Sequence, residues 1–182
     1  QFSIGPYLSW TRARYTVVRN IRSFLREEDE FIGATARIGV LAAPSAFGFS
    51  SSGAGIESYV SGGGRLPGGY IRGSASANGL VTSSGVDSGT VVLRGDFAFQ
   101  PLARHALIAG GFVGWQKNPV PGAQFDLGLT YGLRAFPLHA FVGDRGYLVA
   151  AEYRWTFTDD LWKMIGLALG AFLCPKNPVG AP

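Results

Sequence analysis

The sequence predicts an all-β chain of about eight antiparallel strands that cross a membrane as a transmembrane β-barrel. Three observations carry that expectation. Apolar and polar residues alternate with period two in segment after segment, a spacing that only a strand sorts onto two faces. The alternating segments run to roughly ten residues, long against a mode of about 5–6 in globular sheets and close to the 9–11 that span a bilayer. The composition is charge-poor and glycine-rich: charged residues are 15%, hydrophobic residues 47% and aromatic residues 13% of 182 positions, with 27 Gly. Gly shows no three-residue period, and a chain so poor in charge is neither collagen nor a disordered polyelectrolyte.

The elements follow in chain order. Tyr7 to Val18 puts Arg12 and Arg14 on one face and Tyr7, Ala13, Tyr15 and Val17 on the other. Ile32 to Leu41 sets Ile32, Ala34, Ala36, Ile38 and Val40 against Gly33, Thr35, Arg37, Gly39 and Leu41. Gly55 to Ser61 is a weaker strand that contributes Glu57. Ile71 to Asn78 collects Arg72, Ser74, Ser76 and Asn78 on one side. Thr90 to Phe99 separates Val91, Leu93, Gly95, Phe97 and Phe99 from Val92, Arg94, Asp96 and Ala98. His105 to Trp115 and Trp162 to Phe172 are weaker again. Tyr147 to Phe157 is the clearest: Tyr147, Val149, Ala151, Tyr153, Trp155 and Phe157 oppose Leu148, Ala150, Glu152, Arg154 and Thr156. Turn signals separate them at Arg26 to Glu30, Pro44 to Gly53, Gly62-Gly63-Gly64, Leu66 to Gly69 and Ser83 to Ser88, with a longer connection from Asn118 to Arg145. Residues 1–173 read as one barrel domain and 174–182 as an irregular tail. Gln1 to Pro6 reads as a mature or truncated end, not a signal peptide.

A soluble sandwich alternates in the same way, but its apolar faces hold bulky aliphatic side chains. Here those faces carry many Gly and Ala, with Tyr, Trp and Phe near the strand ends. Apolar-out, polar-in strands with aromatic ends fit a membrane barrel. The lumen-facing charges would be Arg12, Arg14, Arg37, Arg72, Arg94, Asp96 and Arg154. The longest apolar run, Met164 to Cys174, is too short for a spanning helix of about 20 residues.

Chemistry-bearing motifs are scarce. One Cys forms no internal disulfide framework, and one Cys with two His cannot build a four-ligand zinc site. Gly62-Gly63-Gly64 lacks the Gly-Lys-Ser/Thr that completes a phosphate loop. There is no Gly-x-Ser-x-Gly, and neither His105 nor His139 falls at a readable spacing from a serine and an acid. No catalytic residue, metal or cofactor is implied. Arginines spread over many strands, with no basic cluster, argue against nucleic acid despite a pI near 9.5.

The stretch from Gln124 to Phe172 carries Phe125 and Gly128, then Leu133-Arg134-Ala135-Phe136-Pro137, then the turn Gly143-Asp144-Arg145, then Glu152-Tyr153-Arg154. It resembles the C-terminal barrel of the Omp85 superfamily of bacterial outer-membrane proteins, the surface-antigen type. There a long loop carries a Val/Leu-Arg-Gly-aromatic motif; Ala135 stands here where that motif has Gly. Glu28-Asp29-Glu30, Gly33 and the strand running to Ala46-Phe47-Gly48 also have the look of a family hairpin.

The resemblance implies that the chain is part of a sixteen-stranded barrel in a bacterial outer membrane, acting in outer-membrane protein assembly or polypeptide translocation. Leu133, Arg134, Ala135 and Phe136 would sit on a loop in the lumen. Gly143, Asp144 and Arg145 would form the loop turn, and Glu152 would be a carboxylate partner for Arg134. The implied partners are the lipid bilayer, a client polypeptide and, to close the barrel, a second copy. Two other classes share the alternation: a small structural or pore-forming barrel without a client, and an outer-membrane acyl hydrolase needing a Ser/His pair on one rim.

Overall fold

The structure is a computed structural model. It describes residues 3–19, 21, 26–49, 51–83, 85–119, 124–127, 141–161 and 165–173. The chain is all-β. Eight strands form one antiparallel sheet in the order β1-β4-β5-β6-β7-β8-β11-β12. They are β1 (Tyr7–Arg12), β4 (Ala34–Ala43), β5 (Gly53–Leu66), β6 (Gly69–Thr82), β7 (Gly85–Leu102), β8 (His105–Lys117), β11 (Arg145–Leu161) and β12 (Ile165–Leu173). Two short hairpins stand apart from it: β2 (Tyr15–Arg19) with β3 (Glu27–Phe31), and β9 (Phe125–Leu127) with β10 (Phe141–Gly143).

Cross-strand pairs in a sheet share a face, so the register assigns the faces strand by strand. One row runs Leu8, Ile38, Ser58, Ala77, Val91, Trp115 and Arg145 across seven strands. With its period-two continuations it defines an apolar face. The adjacent row, Ser9, Arg37, Tyr59, Ser76, Val92, Gly114 and Gly146, belongs to the polar face. The large hydrophobics of the apolar face lie open rather than in a core: Val40 is 58% exposed, Val149 53% and Trp115 52%.

The core sits on the polar face instead. The β1–β2 and β3–β4 segments form one long hairpin, broken at Ala13-Arg14 and Ile32-Gly33. The Ile32 amide donates to the Arg14 carbonyl at 2.8 Å, so the ladder is bridged through the break. Beyond it the β2–β3 strands lie over the sheet. Val18, Ile21 and Ile32 are buried there against Tyr70 and Ala98, with Ile108 beside them. Two glycines make the fold-over sterically possible. A Cβ on Gly33 would overlap the Arg12 carbonyl and approach the Phe31 ring at 2.7 Å and the Arg14 nitrogen at 2.8 Å. At Gly63 the missing side chain leaves room for Ile32, which would lie 3.2–3.4 Å from a Cβ there.

Four sequence expectations change. The sheet does not close into a barrel: among the described residues β1 and β12 are opposite edges and do not pair. Closure would require the two edge strands, β1 of 6 residues and β12 of 9, to meet with the stagger a barrel imposes. Tyr7 to Val18 is two strands in two sheets. Glu27 to Glu30 is strand β3, and Gly62-Gly63-Gly64 runs inside β5, so neither is a turn. By contrast Pro67-Gly68 does link β5 to β6, as its sequence leads one to expect.

Gly33→Ala is expected to lower stability by about 1–3 kcal/mol, the range for forcing a backbone clash. Gly62→Ala, where an added Cβ would meet nothing within 4 Å, is expected to be neutral. Urea titration of the two variants in detergent, side by side, checks the contrast; equal midpoints would contradict a tight bend at Gly33.

Candidate functional site

The polar face and the hairpin lying on it form the most organised group of charges among the described residues. Arg72 on β6 and Asp96 on β7 are register partners. Arg72 Nε donates to Asp96 Oδ2 at 3.0 Å, and its Nη2 lies 3.0 Å from the same oxygen. From above, Glu30 of β3 brings a carboxylate oxygen to 3.5 Å from Arg72 Nη1. Glu30 is only 4% exposed, so it needs a cation to offset its desolvation. The Arg72 guanidinium also lies 5.8 Å from the ring centre of Tyr70, part of the buried cluster.

A second anchor lies on β11. Arg154 donates to Glu152, two residues away on the same face, and to the Ile21 carbonyl of the hairpin. The hairpin is therefore held by a buried carboxylate on one arginine, a carbonyl on another, and the apolar cluster between them. Charge complementarity runs through the arrangement. β3 reads Glu-Glu-Asp-Glu-Phe, and the face beneath the hairpin presents Arg72 to Glu30 and Arg154 to the Ile21 carbonyl, with Arg94 and Arg37 on the same face. Arg37 itself stands 5.7 Å from the ring centre of Tyr7.

The other hairpin shapes a cleft of about 750 Å³ on the same face. Phe125 lies over Gly114 and Gly146 and tilts against Phe112 at 6.0 Å. Arg94, Asp96, Asp126 and Leu148 complete the walls. Gln124 Nε2 donates to Asp144 Oδ1 at 3.0 Å, and the Gln116 amide donates to the Asp144 carbonyl at 2.7 Å, tying this connection to the sheet end.

The expected site residues divide into several groups. Leu133, Arg134, Ala135 and Phe136 lie outside the described residues, as does His139. Gly143 ends β10 and is buried, Asp144 takes the Gln124 amide, and Arg145 opens β11 in register with Trp115. Glu152, expected to meet Arg134, is engaged by Arg154. Arg37, Arg72, Arg94, Asp96 and Arg154 share the polar face.

Two arginines do not join them. Arg12 pairs in register with Ala34 and falls on the face of Trp10 and Leu8, and Arg14 lies in the break between β1 and β2. The physical reasons differ: the register of β1 sets Arg12 on the face of Leu8 and Trp10, and the bend ends the alternation before Arg14. Ile32 likewise leaves the apolar row and is buried under the hairpin, 2% exposed. His105 stacks on Trp155 at 5.8 Å and bonds Tyr153 on the apolar face.

Sequence reasoning missed Glu30. Four acids in a row are the signal that was present, but a charged run reads first as a solvated turn. Comparison with family models, with curated proteins and with solved structures finds no match to this chain.

Arg72→Ala removes the guanidinium beside the buried Glu30 carboxylate and is expected to cost about 2–3 kcal/mol. Asp96→Ala removes a partner whose side chain is half exposed and is expected to cost less than about 1 kcal/mol. Equilibrium unfolding of both variants measures the order, and the reverse order would remove Glu30 from its anchoring role.

Proposed function

We propose that this chain forms part of the wall of a β-barrel in a bacterial outer membrane and acts in outer-membrane protein assembly or polypeptide translocation, as the resemblance to the Omp85 superfamily implies. The observation that supports the membrane reading is the one-sided chemistry of the sheet. On β4 to β6, β8 and the part of β11 from Arg145 to Thr156, the described side chains of the apolar face carry charge only at strand ends, as Lys117 and Arg145. Its one serine, Ser58, donates to the Ala77 carbonyl at 3.2 Å, and the Tyr153 hydroxyl bonds His105. A hydroxyl so satisfied is cheap in hydrocarbon, where an unsatisfied one is not. Water would face a contiguous apolar surface far larger than soluble monomers usually expose.

The dimensions agree. Tyr147, Val149, Ala151, Tyr153 and Trp155 share one face of β11. The eight steps from residue 147 to 155 span about 26 Å at roughly 3.3 Å each, or about 20 Å along the normal at a tilt near 40°. The apolar band of such barrels is about 25 Å tall, with aromatic girdles at both edges. Lipid cannot satisfy the free edges of β1 and β12, so in this reading further strands complete the wall. The action is passive: the polar face and the strand edges guide a polypeptide, and no cofactor or catalytic residue takes part.

A second reading, a small structural barrel without a client, is favoured by the cluster of Val18, Ile21 and Ile32 that fills space over the polar face. Its discriminator is the mass of the folded species in detergent and whether it conducts.

In vesicles of bromine-labelled phospholipid, the emission of Trp10, Trp115 and Trp155 is expected to be strongly quenched, and the folded protein is expected to migrate differently on gels before and after boiling. Unquenched emission from a protein that stays dispersed without detergent would overturn the membrane reading.

A further inference from the structure

We propose that the acidic β2–β3 hairpin is a built-in stand-in for an extended acidic polypeptide segment, and a displaceable cover over the surface that binds such a segment. The inference rests on the proposed polypeptide-handling role and names the chemistry of the client that the polar face would take. Three observations meet here. The sheet face under the hairpin offers Arg72 and Arg154, and each reaches up to the hairpin: Arg72 to the Glu30 carboxylate at 3.5 Å, Arg154 to the Ile21 carbonyl. These are the two things any extended acidic peptide supplies, a side-chain carboxylate and a backbone acceptor.

The hold on Glu30 is the looser of the two grips on Arg72. Asp96, on the sheet itself, makes the 3.0 Å contacts and accepts the Nε hydrogen bond. Arg72 therefore keeps a carboxylate when the hairpin leaves, and its guanidinium stays oriented for an incoming one. Finally, the hairpin is attached through the break at Ala13-Arg14 and Ile32-Gly33, where the strands leave the sheet and one bridging hydrogen bond replaces the ladder. A cover joined at one bend can swing without unpairing β1 from β4.

The competition is intramolecular, so the cover has the advantage of high effective concentration. A client displaces it only by supplying several carboxylates at once. Weakening Glu30 alone should shift the balance toward the client without touching the sheet.

The test uses the full chain in detergent and a fluorescent peptide of alternating Glu and Val, with a Gln-for-Glu version as the neutral probe. Wild type is expected to bind the acidic peptide weakly and Glu30→Gln about tenfold more tightly, a change equivalent to 1.4 kcal/mol. Arg154→Gln in the Glu30→Gln background is expected to lose that gain. Hydrogen exchange supplies the structural readout: adding the acidic peptide should speed exchange of the β2–β3 amides and leave β6 and β7 protected.

Equal binding of the neutral peptide, an unchanged affinity in Glu30→Gln, or binding that leaves hairpin exchange unaltered would each overturn the proposal. None of these outcomes bears on lipid quenching of the tryptophans, so a failure of the membrane reading registers separately.

Discussion

An antiparallel ladder gives each side chain two directions and no third. Once the register of β4 to β8 and β11 is set by backbone hydrogen bonds, every residue on those strands is assigned to one of two surfaces. Everything else in this protein follows from that sorting. One surface gathers aliphatic, small and aromatic residues with a single serine that bonds its own sheet. The other gathers Arg37, Arg72, Arg94 and Arg154 with Glu57, Asp96 and Glu152. A slip of one residue in any strand would exchange the two sets and place arginine among exposed valines.

The polar surface then determines where the remaining chain goes. Arginines on a sheet are strongly solvated, and burying them is tolerable only against carboxylates and carbonyls. The β2–β3 hairpin provides both together with Val18 and Ile21. The apolar contacts make the cover compact, and the charges choose the face on which it lies. The same surface receives Phe125 over the bare backbone of Gly114 and Gly146. Both inserts therefore cover the polar side and leave the apolar side bare, an inversion of the ordinary soluble arrangement in which the apolar face becomes the core.

Glycine serves two ends in this sheet. On the apolar face it keeps Gly73, Gly95 and Gly111 level across three neighbouring strands. On the polar face, at Gly63, it admits Ile32 from the cover. The residue type is the same, but the consequence depends on what approaches it. That is why a run such as Gly62-Gly63-Gly64 is ambiguous until its neighbours are known.

The sequence by itself determined the strands that persist longest and the faces they present. Period two is a local property, so Thr90 to Phe99, Ile71 to Asn78 and Tyr147 to Phe157 were legible residue by residue, and with them the grouping of Arg72, Arg94, Asp96 and Arg154. Tertiary structure decided what no window of ten residues contains. The register of β1 against β4 sets Arg12 off the polar face, and the bend that takes Arg14 out of the sheet brings Arg12, Arg14 and Phe31 close around Gly33. The strand character of Glu27 to Glu30 depends on pairing with Tyr15 to Arg19 and on Arg72 of β6 below. The openness of the sheet is a matter of whether β1 and β12, far apart in the chain, pair. Alternation is written in the chain because each peptide unit enforces it alone; fold-over and closure require distant segments to meet, and their energies appear only when they do.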